Sequence, residues 1–345
     1  MRPPSPSGPL RGEPLAKARE PAKSERGTSG ELTLAFKVVH GWKNLADADK
    51  GAAVALGNFD GVHLGHQRVI AQAQAAAERL SAPLGVISFE PHARMHFQPD
   101  APPFRLSRPH QLARVVESVG ADRLYLLPFG VEMANFSDRE FAIQVLSAGL
   151  GVRHVAIGFD VTFGKDRTGD PDSMRRYGEE LGFSVSVAEA MAVDGVKLSS
   201  TRVREALREG RPGEAAAILG RPFAIEGVVQ KGRQLGRKLG FPTANVPLGD
   251  YAAPKFGVYA TRTRLQDGRR LGGVANIGVN PTTGVVEPRL EVWMFDFDED
   301  IYGETIETEL IAFLRPEEKF PSIPAMVEQI WRDASRARQL VAQDC

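Results

Sequence analysis

The chain lacks several features that would have steered its interpretation. One cysteine occurs among 345 residues, and it is the last, Cys345. An internal disulfide is thereby excluded, and the composition suits a reducing compartment such as the cytoplasm. Net charge is missing too: Lys plus Arg and Asp plus Glu both number 43. No global field then recruits nucleic acid or an anionic membrane, so any phosphate must be bound by local basic patches. No apolar run approaches the roughly 18 to 20 residues needed to cross a bilayer. Aromatic residues are absent from residues 1–30, which are rich in Pro, Ser and Gly and include both charge signs. Disorder is expected over an N-terminal extension of residues 1–33. A secretory signal would need an apolar core that this stretch lacks, and Glu13, Glu20 and Glu25 argue against a transit peptide.

What is present is ample material for two cores: 42% hydrophobic residues in a length that suggests two domains. From Leu34 to residue 219 short apolar strands alternate with amphipathic helices, the pattern of an α/β domain with a parallel sheet and crossover helices. Strands are predicted at Val54–Leu56, Leu84–Phe89, Arg123–Leu127, Val152–Gly158 and Phe183–Ala188. Helices are predicted at His66–Leu80 and Ser107–Val119, the latter with Leu112, Val115, Val116 and Val119 on one face. Ser137 and Glu140 form a capping box for a third. From residue 220 to 345 the period shifts to nearly 2, with Gly, Pro and Asp turns, and predicts a small antiparallel β-barrel. Its strands are expected at Phe223–Gln230, Thr243–Pro247, Gly257–Leu265, Gly272–Ile277, Leu290–Phe297 and Thr305–Leu314. A closing helix from Ser322 is expected to cover the barrel with Met326, Val327, Ile330 and Trp331. The boundary falls near Leu219-Gly-Arg-Pro222.

The most informative segment is Val54-Ala-Leu-Gly-Asn-Phe-Asp-Gly-Val-His-Leu-Gly-His-Gln67. An apolar strand runs into Gly57 and Gly61, which let the backbone turn and approach a ligand, and His66 begins an alanine-rich helix. Phosphates suit that helix N-terminus, where free N–H groups and the dipole favour anions. His63 and His66 add donors for charge developing on a phosphate under attack. Two histidines at this spacing could also ligate zinc, but no Cys and no acidic cluster accompanies them. An ordinary strand-to-helix turn capped by Asn58 and Asp60 is the plainer alternative, although it has no use for both histidines.

Four further segments carry polar chemistry. Gly158-Phe-Asp-Val-Thr-Phe-Gly-Lys-Asp-Arg-Thr-Gly-Asp170 follows a strand and could wall the same pocket, or be a loop with Asx turns. Ser199-Ser-Thr-Arg-Val-Arg204 starts a helix with hydroxyls yet puts Arg202 and Arg204 in its first turns, a conflict that a bound anion would resolve. Gly232-Arg-Gln-Leu-Gly-Arg-Lys-Leu-Gly-Phe-Pro-Thr-Ala-Asn245 is a basic, glycine-rich flap whose amides could embrace phosphates, or a flexible basic hairpin. Arg289-Leu-Glu-Val-Trp-Met-Phe-Asp-Phe-Asp298 alternates so that Leu290, Val292 and Met294 face inward while Glu291 points the other way.

Taken together these segments resemble a known family. Gly-Asn-Phe-Asp-Gly-Val-His-Leu-Gly-His is similar to the His-x-Gly-His signature of nucleotidylyltransferases, and in full to the N-terminal module of the bacterial bifunctional riboflavin kinase/FAD synthetase family. The segments at 158, 199, 240 and 289 resemble that family's remaining elements, in its order, over roughly residues 34–340. The resemblance implies a Rossmann-like FMN adenylyltransferase domain over 34–219 and a β-barrel riboflavin kinase domain over 220–345. It implies that His63, His66 and Arg202 serve adenylyl transfer, with Arg204 as a further candidate, and that Glu291 is the base that deprotonates riboflavin. By the same resemblance Gly57, Asn58, Phe59, Asp60, Gly61, Ser200 and Thr201 hold ATP in the first domain, and Gly236, Arg237, Gly240 and Pro242 hold it in the second. Asp160, Phe163, Gly164 and Arg167 would contact flavin, with Val161 standing where an aromatic residue is usual. Thr243 and Asn245 would hold Mg²⁺. ATP, riboflavin, FMN and FAD are then the substrates and products, with neither nucleic acid nor membrane as partner. The sequence leaves the oligomeric state open, homo-oligomer included. It also leaves two other readings standing: transfer to a different phosphate acceptor, and a flavin-binding regulatory module without catalysis.

Overall fold

A computed structural model describes residues 35–193, 196–232, 236, 239–279 and 287–343. The expected disorder of residues 1–33 and the site residue Arg237 lie outside them. The first half runs β1 (Lys37–His40), β2 (Ala53–Leu56), α1 (Leu64–Leu80), β3 (Leu84–Glu90), α2 (Ala93–Phe97), α3 (Pro109–Ser118), β4 (Arg123–Pro128), α4 (Val131–Asn135) and α5 (Asp138–Glu140). A π-helical run Phe141–Ser147 continues α5, and β5 (His154–Gly158), α6 (Pro171–Leu181) and β6 (Ser184–Ala188) follow. The capping box is as expected, with the Ser137 side chain accepting from the Glu140 amide. A short hairpin, β7 (Ala192–Val193) and β8 (Val196–Lys197), leads to α7 (Ser200–Arg208) and α8 (Pro212–Leu219).

The first sheet has six strands, all parallel, in the order β1-β4-β3-β2-β5-β6. Each predicted strand is there; β1, an edge strand with only Val39 buried, was not predicted. Alternate residues of β2 feed two cores: Ala53 and Ala55 pack with α1 and α3, Val54 and Leu56 with the π-helical run and α6. A parallel sheet covered on both faces is the arrangement such crossovers produce. The winding of the sheet reverses at β2, with β3 added on one side of it and β5 on the other, so the loops after the parallel neighbours β2 and β5 lie side by side at their carboxyl ends. That is where open sheets of this kind bind ligands.

The second half contains β9 (Phe223–Val228), β10 (Ala244–Pro247), β11 (Gly257–Arg264), β12 (Arg270–Val279), β13 (Pro288–Met294), β14 (Thr305–Arg315) and α9 (Ile323–Gln343). They form a six-stranded antiparallel sheet ordered β10-β13-β12-β11-β14-β9. A bridge between Gln230 and Asn245 brings its two ends together into a nearly closed barrel. Leu290, Val292 and Met294 are buried inside it as the alternation predicts. The covering face of α9 differs from expectation. Ala334 and Ala337, with Leu340 and Val341, pack on Val258, Ala260, Val274 and Phe295, whereas Trp331 is 56% exposed. Small residues let the helix approach the strands closely, and the bulkier residues are left at its margin.

The two halves meet through packing and charge. Val203, Leu207, Ile218 and Leu219 of α7 and α8 share a core with barrel residues Phe223, Ile225 and Leu310. Arg105 pairs through its backbone with residues 250–252, its N–H donating to Asp250 O at 3.0 Å. Arg108 donates to Glu226 O at 2.9 Å and lies over the Tyr251 ring, and Gln111 donates to Ala224 O at 3.1 Å. Arg114 binds both Glu226 and Glu307.

Candidate functional site

The turn after β2 is held in an unusual conformation. Phe59, Gly61 and Val62 all have positive φ, at 48°, 83° and 42°. For Val62, β-branched and fully buried, this is a true outlier; such positions cost about 1–3 kcal/mol each and persist only where the surroundings over-determine them. Gly61 is needed for space as well, since a Cβ there would meet Leu106 Cδ1 at 3.0 Å and Leu219 Cδ2 at 3.2 Å. Its N–H donates to Ser107 Oγ at 3.1 Å, and Ser88 Oγ donates to Asn58 O at 2.9 Å.

This turn delivers His63 as the N-cap of α1, where its Nδ1 accepts from the His66 amide at 3.2 Å. The proton of the neutral ring is therefore on Nε2. The rings of His63 and His66 stack with centroids 3.6 Å apart, and His66 meets the Phe59 edge at 5.1 Å. Gly65 makes the stack possible, because a Cβ there would lie 3.0 Å from the His63 ring. Burial, with help from the Arg204 charge, lowers the His63 pKa to about 4. His66 is driven well below its ordinary value by burial, His63 and Arg204. Its Nδ1 is buried and has no hydrogen-bond partner among the described residues. Two neutral imidazoles thus sit at a helix N-terminus, one of them with an unused polar atom.

Asp60 turns inward rather than toward the histidines. It accepts from the Leu106 amide at 2.8 Å, the Ser107 amide at 3.1 Å and the Arg204 guanidinium. Burial raises its pKa, opposed by Arg204 and the two amides. Arg204 also donates through Nε to Phe104 O at 2.7 Å. Ser200 Oγ donates to Asp60 O at 2.8 Å, docking the start of α7 on the turn, and Thr201 is exposed beside it. Arg202 points elsewhere: it pairs with Glu214 at 2.7 Å and with Glu205 at 3.6 Å. The arginine whose charge acts on both histidines is Arg204.

The loop after β5 splits in two. Asp160 pairs with Lys197, which lies over the Phe159 ring, and both charges act on His63. Phe163 and Gly164 instead fold onto α5 and the π-helical run: Phe163 lies 5.8 Å from Phe141, and a Cβ on Gly164 would strike the Asp138 amide at 2.3 Å. Arg167 is exposed and donates to Thr162 Oγ1 at 2.9 Å, and Val161 packs against the adjoining core.

In the barrel, cross-strand register aligns Asn245 of β10, Glu291 of β13 and Asn276 of β12 in one row. Directly opposed residues share a face, so three polar groups gather on the barrel's outer surface. Asn276 donates to Glu317 at 2.9 Å. A Cβ on Gly232 would lie 2.6 Å from Asn245 Nδ2, and one on Gly236 would lie 2.3 Å from Phe241 O. Gly240 has φ 88°. Pro242 and Thr243 line a cavity of about 60 Å³ with Phe297, Asp298 and Tyr302. Phe241, Trp293 and Trp331 form an aromatic rim, with centroids 4.9 to 5.6 Å apart. Among the described residues no group of three or more His, Cys, Asp or Glu could hold a metal ion. Sequence reading missed Asn276, Lys197, Ser107 and Trp331 as neighbours of these sites. Each arrives from a distant element, and only Trp331 stood out as a residue type.

Comparison with known proteins gives two family matches along the chain. The FAD synthetase family matches residues 45–202 and the riboflavin kinase family residues 219–341. A bifunctional riboflavin kinase/FMN adenylyltransferase of Pseudomonas fluorescens is 40% identical over 308 residues, covering 89% of this chain and 98% of that protein. Its counterpart in Escherichia coli strain K12 is 37% identical, covering 88% and 97%, and that of Bacillus subtilis is 36% identical, covering 87% and 96%. A solved structure described as a macrolide-efflux protein from Streptococcus pneumoniae superposes with a TM-score of 0.79 at 30% identity, covering 87% of this chain and 98% of that one. No helix among the described residues is long and apolar enough to cross a membrane.

Proposed function

The chain belongs to the bifunctional riboflavin kinase/FMN adenylyltransferase family, and from that premise we propose which of its residues carry each reaction. One half phosphorylates riboflavin with ATP to give FMN; the other adenylylates FMN to give FAD and pyrophosphate. We assign the kinase to residues 220–345 and adenylyl transfer to residues 34–219. The change of sheet after Gly220 supports that division, although α7 and α8 share the barrel's core.

The observation that carries the adenylyl-transfer assignment is the stacked His63–His66 pair at the start of α1, with His66 Nδ1 unpartnered among the described residues. The FMN phosphate is already anionic near neutral pH, so the reaction needs no base. It needs alignment and stabilisation of charge on the α-phosphate of ATP. The histidines and the α1 N-terminus supply these, with Gly57, Asn58, Phe59, Gly61, Ser200 and Thr201 around the nucleotide. Arg204 takes the role expected of Arg202, supported by its action on both histidines and by the pairing of Arg202 with Glu214. Asp60 then acts by fixing Arg204 and the 106–107 backbone. FMN lies against the 159–170 loop, where Asp160, Phe163, Gly164 and Arg167 are its candidate contacts.

In the kinase the nucleophile is a neutral hydroxyl, and Glu291 takes its proton. Its place in register between Asn245 and Asn276 supports this. Thr243 and Asn245 offer hard oxygen donors and would hold Mg²⁺ together with the nucleotide phosphates. That ion would supply neutralisation of phosphate charge. Gly236, Arg237, Gly240 and Pro242 receive the nucleotide. The rim of Phe241, Trp293 and Trp331, on the face that carries Glu291, suits a flavin ring. We propose a cytoplasmic enzyme acting on small molecules.

The test incubates the protein with riboflavin, ATP and Mg²⁺ and separates the flavins by chromatography. Glu291→Gln should slow riboflavin to FMN by roughly 10²-fold or more while FMN to FAD continues. His66→Ala should do the reverse, on the order of 10²-fold. One substitution abolishing both steps in a folded protein would refute the two-site assignment.

A further inference from the structure

The strained turn that carries the histidines is not held by its own domain alone. Arg221 lies two residues beyond Leu219, at the entrance to the barrel. Its Nη2 donates to Gly61 O at 2.8 Å, and its Nη1 lies 3.4 Å from both Val62 O and Leu219 O. Gln67 of α1 ties the same two elements, donating from Nε2 to Val62 O at 3.1 Å and to Leu219 O at 3.2 Å. Leu219 Cδ2 closes over Gly61, and a Cβ on Gly220 would strike Leu64 Cδ2 at 2.8 Å. The two carbonyls bound by Arg221 are those of the residues immediately before His63, and both residues have positive φ. A forked, permanently charged donor spanning consecutive carbonyls fixes their orientation as a single point charge does not. Burial lowers the Arg221 pKa to about 10, so the guanidinium keeps its proton at neutral pH.

We propose that Arg221 is a positioning residue for FMN adenylylation. From the first residues of the kinase half, its guanidinium locks the Gly61 and Val62 carbonyls and so aims the His63–His66 pair. Adenylyl transfer therefore depends on docking of the kinase half, whereas riboflavin phosphorylation makes no use of this contact. The inference rests on the assignment of the His63–His66 turn to adenylyl transfer.

Full-length Arg221→Ala, Arg221→Lys and His66→Ala are assayed for both reactions, with kcat and KM separated. Arg221→Ala should lower kcat for FMN to FAD by roughly 10- to 100-fold, the scale of misplacing a catalytic group by about an ångström. KM for ATP should move less than kcat, and riboflavin phosphorylation by the same chain, which reports its folding, should hold. Lys, lacking the fork, should restore only part of the rate, and added methylguanidinium should rescue Arg221→Ala. If Arg221→Ala adenylylates FMN at the wild-type rate while His66→Ala does not, this inference fails and the site assignment stands. If His66→Ala is fully active, the assignment itself fails. Parallel loss of both activities in Arg221→Ala, unrescued by methylguanidinium, would mean a merely structural role and would overturn the proposal.

Discussion

Substituting either partner of the Asp60–Arg204 pair should destabilise the protein, and the two costs should be unequal. The Arg204 side chain is 13% exposed and that of Asp60 5%, and the carboxylate gathers three donors: two backbone amides and the guanidinium. Asp60→Asn preserves shape and one acceptor for the Leu106 and Ser107 amides. It leaves a buried guanidinium that cannot shed its proton, facing an NH₂ group. Removing one partner of a buried pair costs about 3–5 kcal/mol, and this variant should fall in that range. Arg204→Gln leaves the carboxyl instead. Burial already raises its pKa, so it can take a proton, and the cost should drop toward the roughly 1–3 kcal/mol of an unsatisfied polar group. The double variant should cost less than the sum, because the second substitution removes the orphan left by the first. Urea unfolding at neutral pH, followed by far-UV circular dichroism, gives all three values. Equal costs, or the reverse order, or both below about 1 kcal/mol as for exposed pairs, would refute the reasoning.

Acid should weaken the fold partly through His63. Its folded pKa of about 4 lies below the ordinary 6.5, so its contribution is complete above 6.5 and is lost as pH falls toward 4. At about 1.4 kcal/mol per unit this amounts to roughly 3 kcal/mol, and His63→Gln should lose correspondingly less urea resistance over that range than the wild type. Parallel pH curves would contradict it. Gly232→Ala forces a methyl to within 2.6 Å of the Asn245 amide, and should lower kcat/KM for riboflavin phosphorylation while FMN adenylylation is unchanged. An unaltered kinase in that variant would separate Asn245 from nucleotide and Mg²⁺ binding.

The fold was largely legible because its signals are periodic. Five strands of the parallel sheet and six of the barrel follow from apolar runs and alternation, and Ser137 with Glu140 announced a helix start. What α9 presents to the barrel was misread, since hydrophobicity favours Trp331 while close packing favours Ala334 and Ala337. The choice between Arg202 and Arg204 was equally closed to sequence. Both occupy the first turns of one helix, and only the tertiary positions of Glu214 and Asp60 decide that Arg202 pairs with the first and Arg204 with the second.

By itself the sequence determined the two architectures and their order, and it supplied the candidates for the two proposed phosphate chemistries: paired histidines for a transfer that needs no base, and, through family resemblance, a carboxylate for one that does. Those follow from local periodicity and from motifs whose members lie within a few residues of each other. Only the tertiary structure decided how the sites are held. The row Asn245–Glu291–Asn276 depends on strand register, the ties from Ser107 and Arg221 to the turn span 46 and 160 residues, and the neutrality of His63 depends on burial. Contacts of that range have no signature along the chain, because the folding that brings the groups together also sets their dielectric surroundings and their strain.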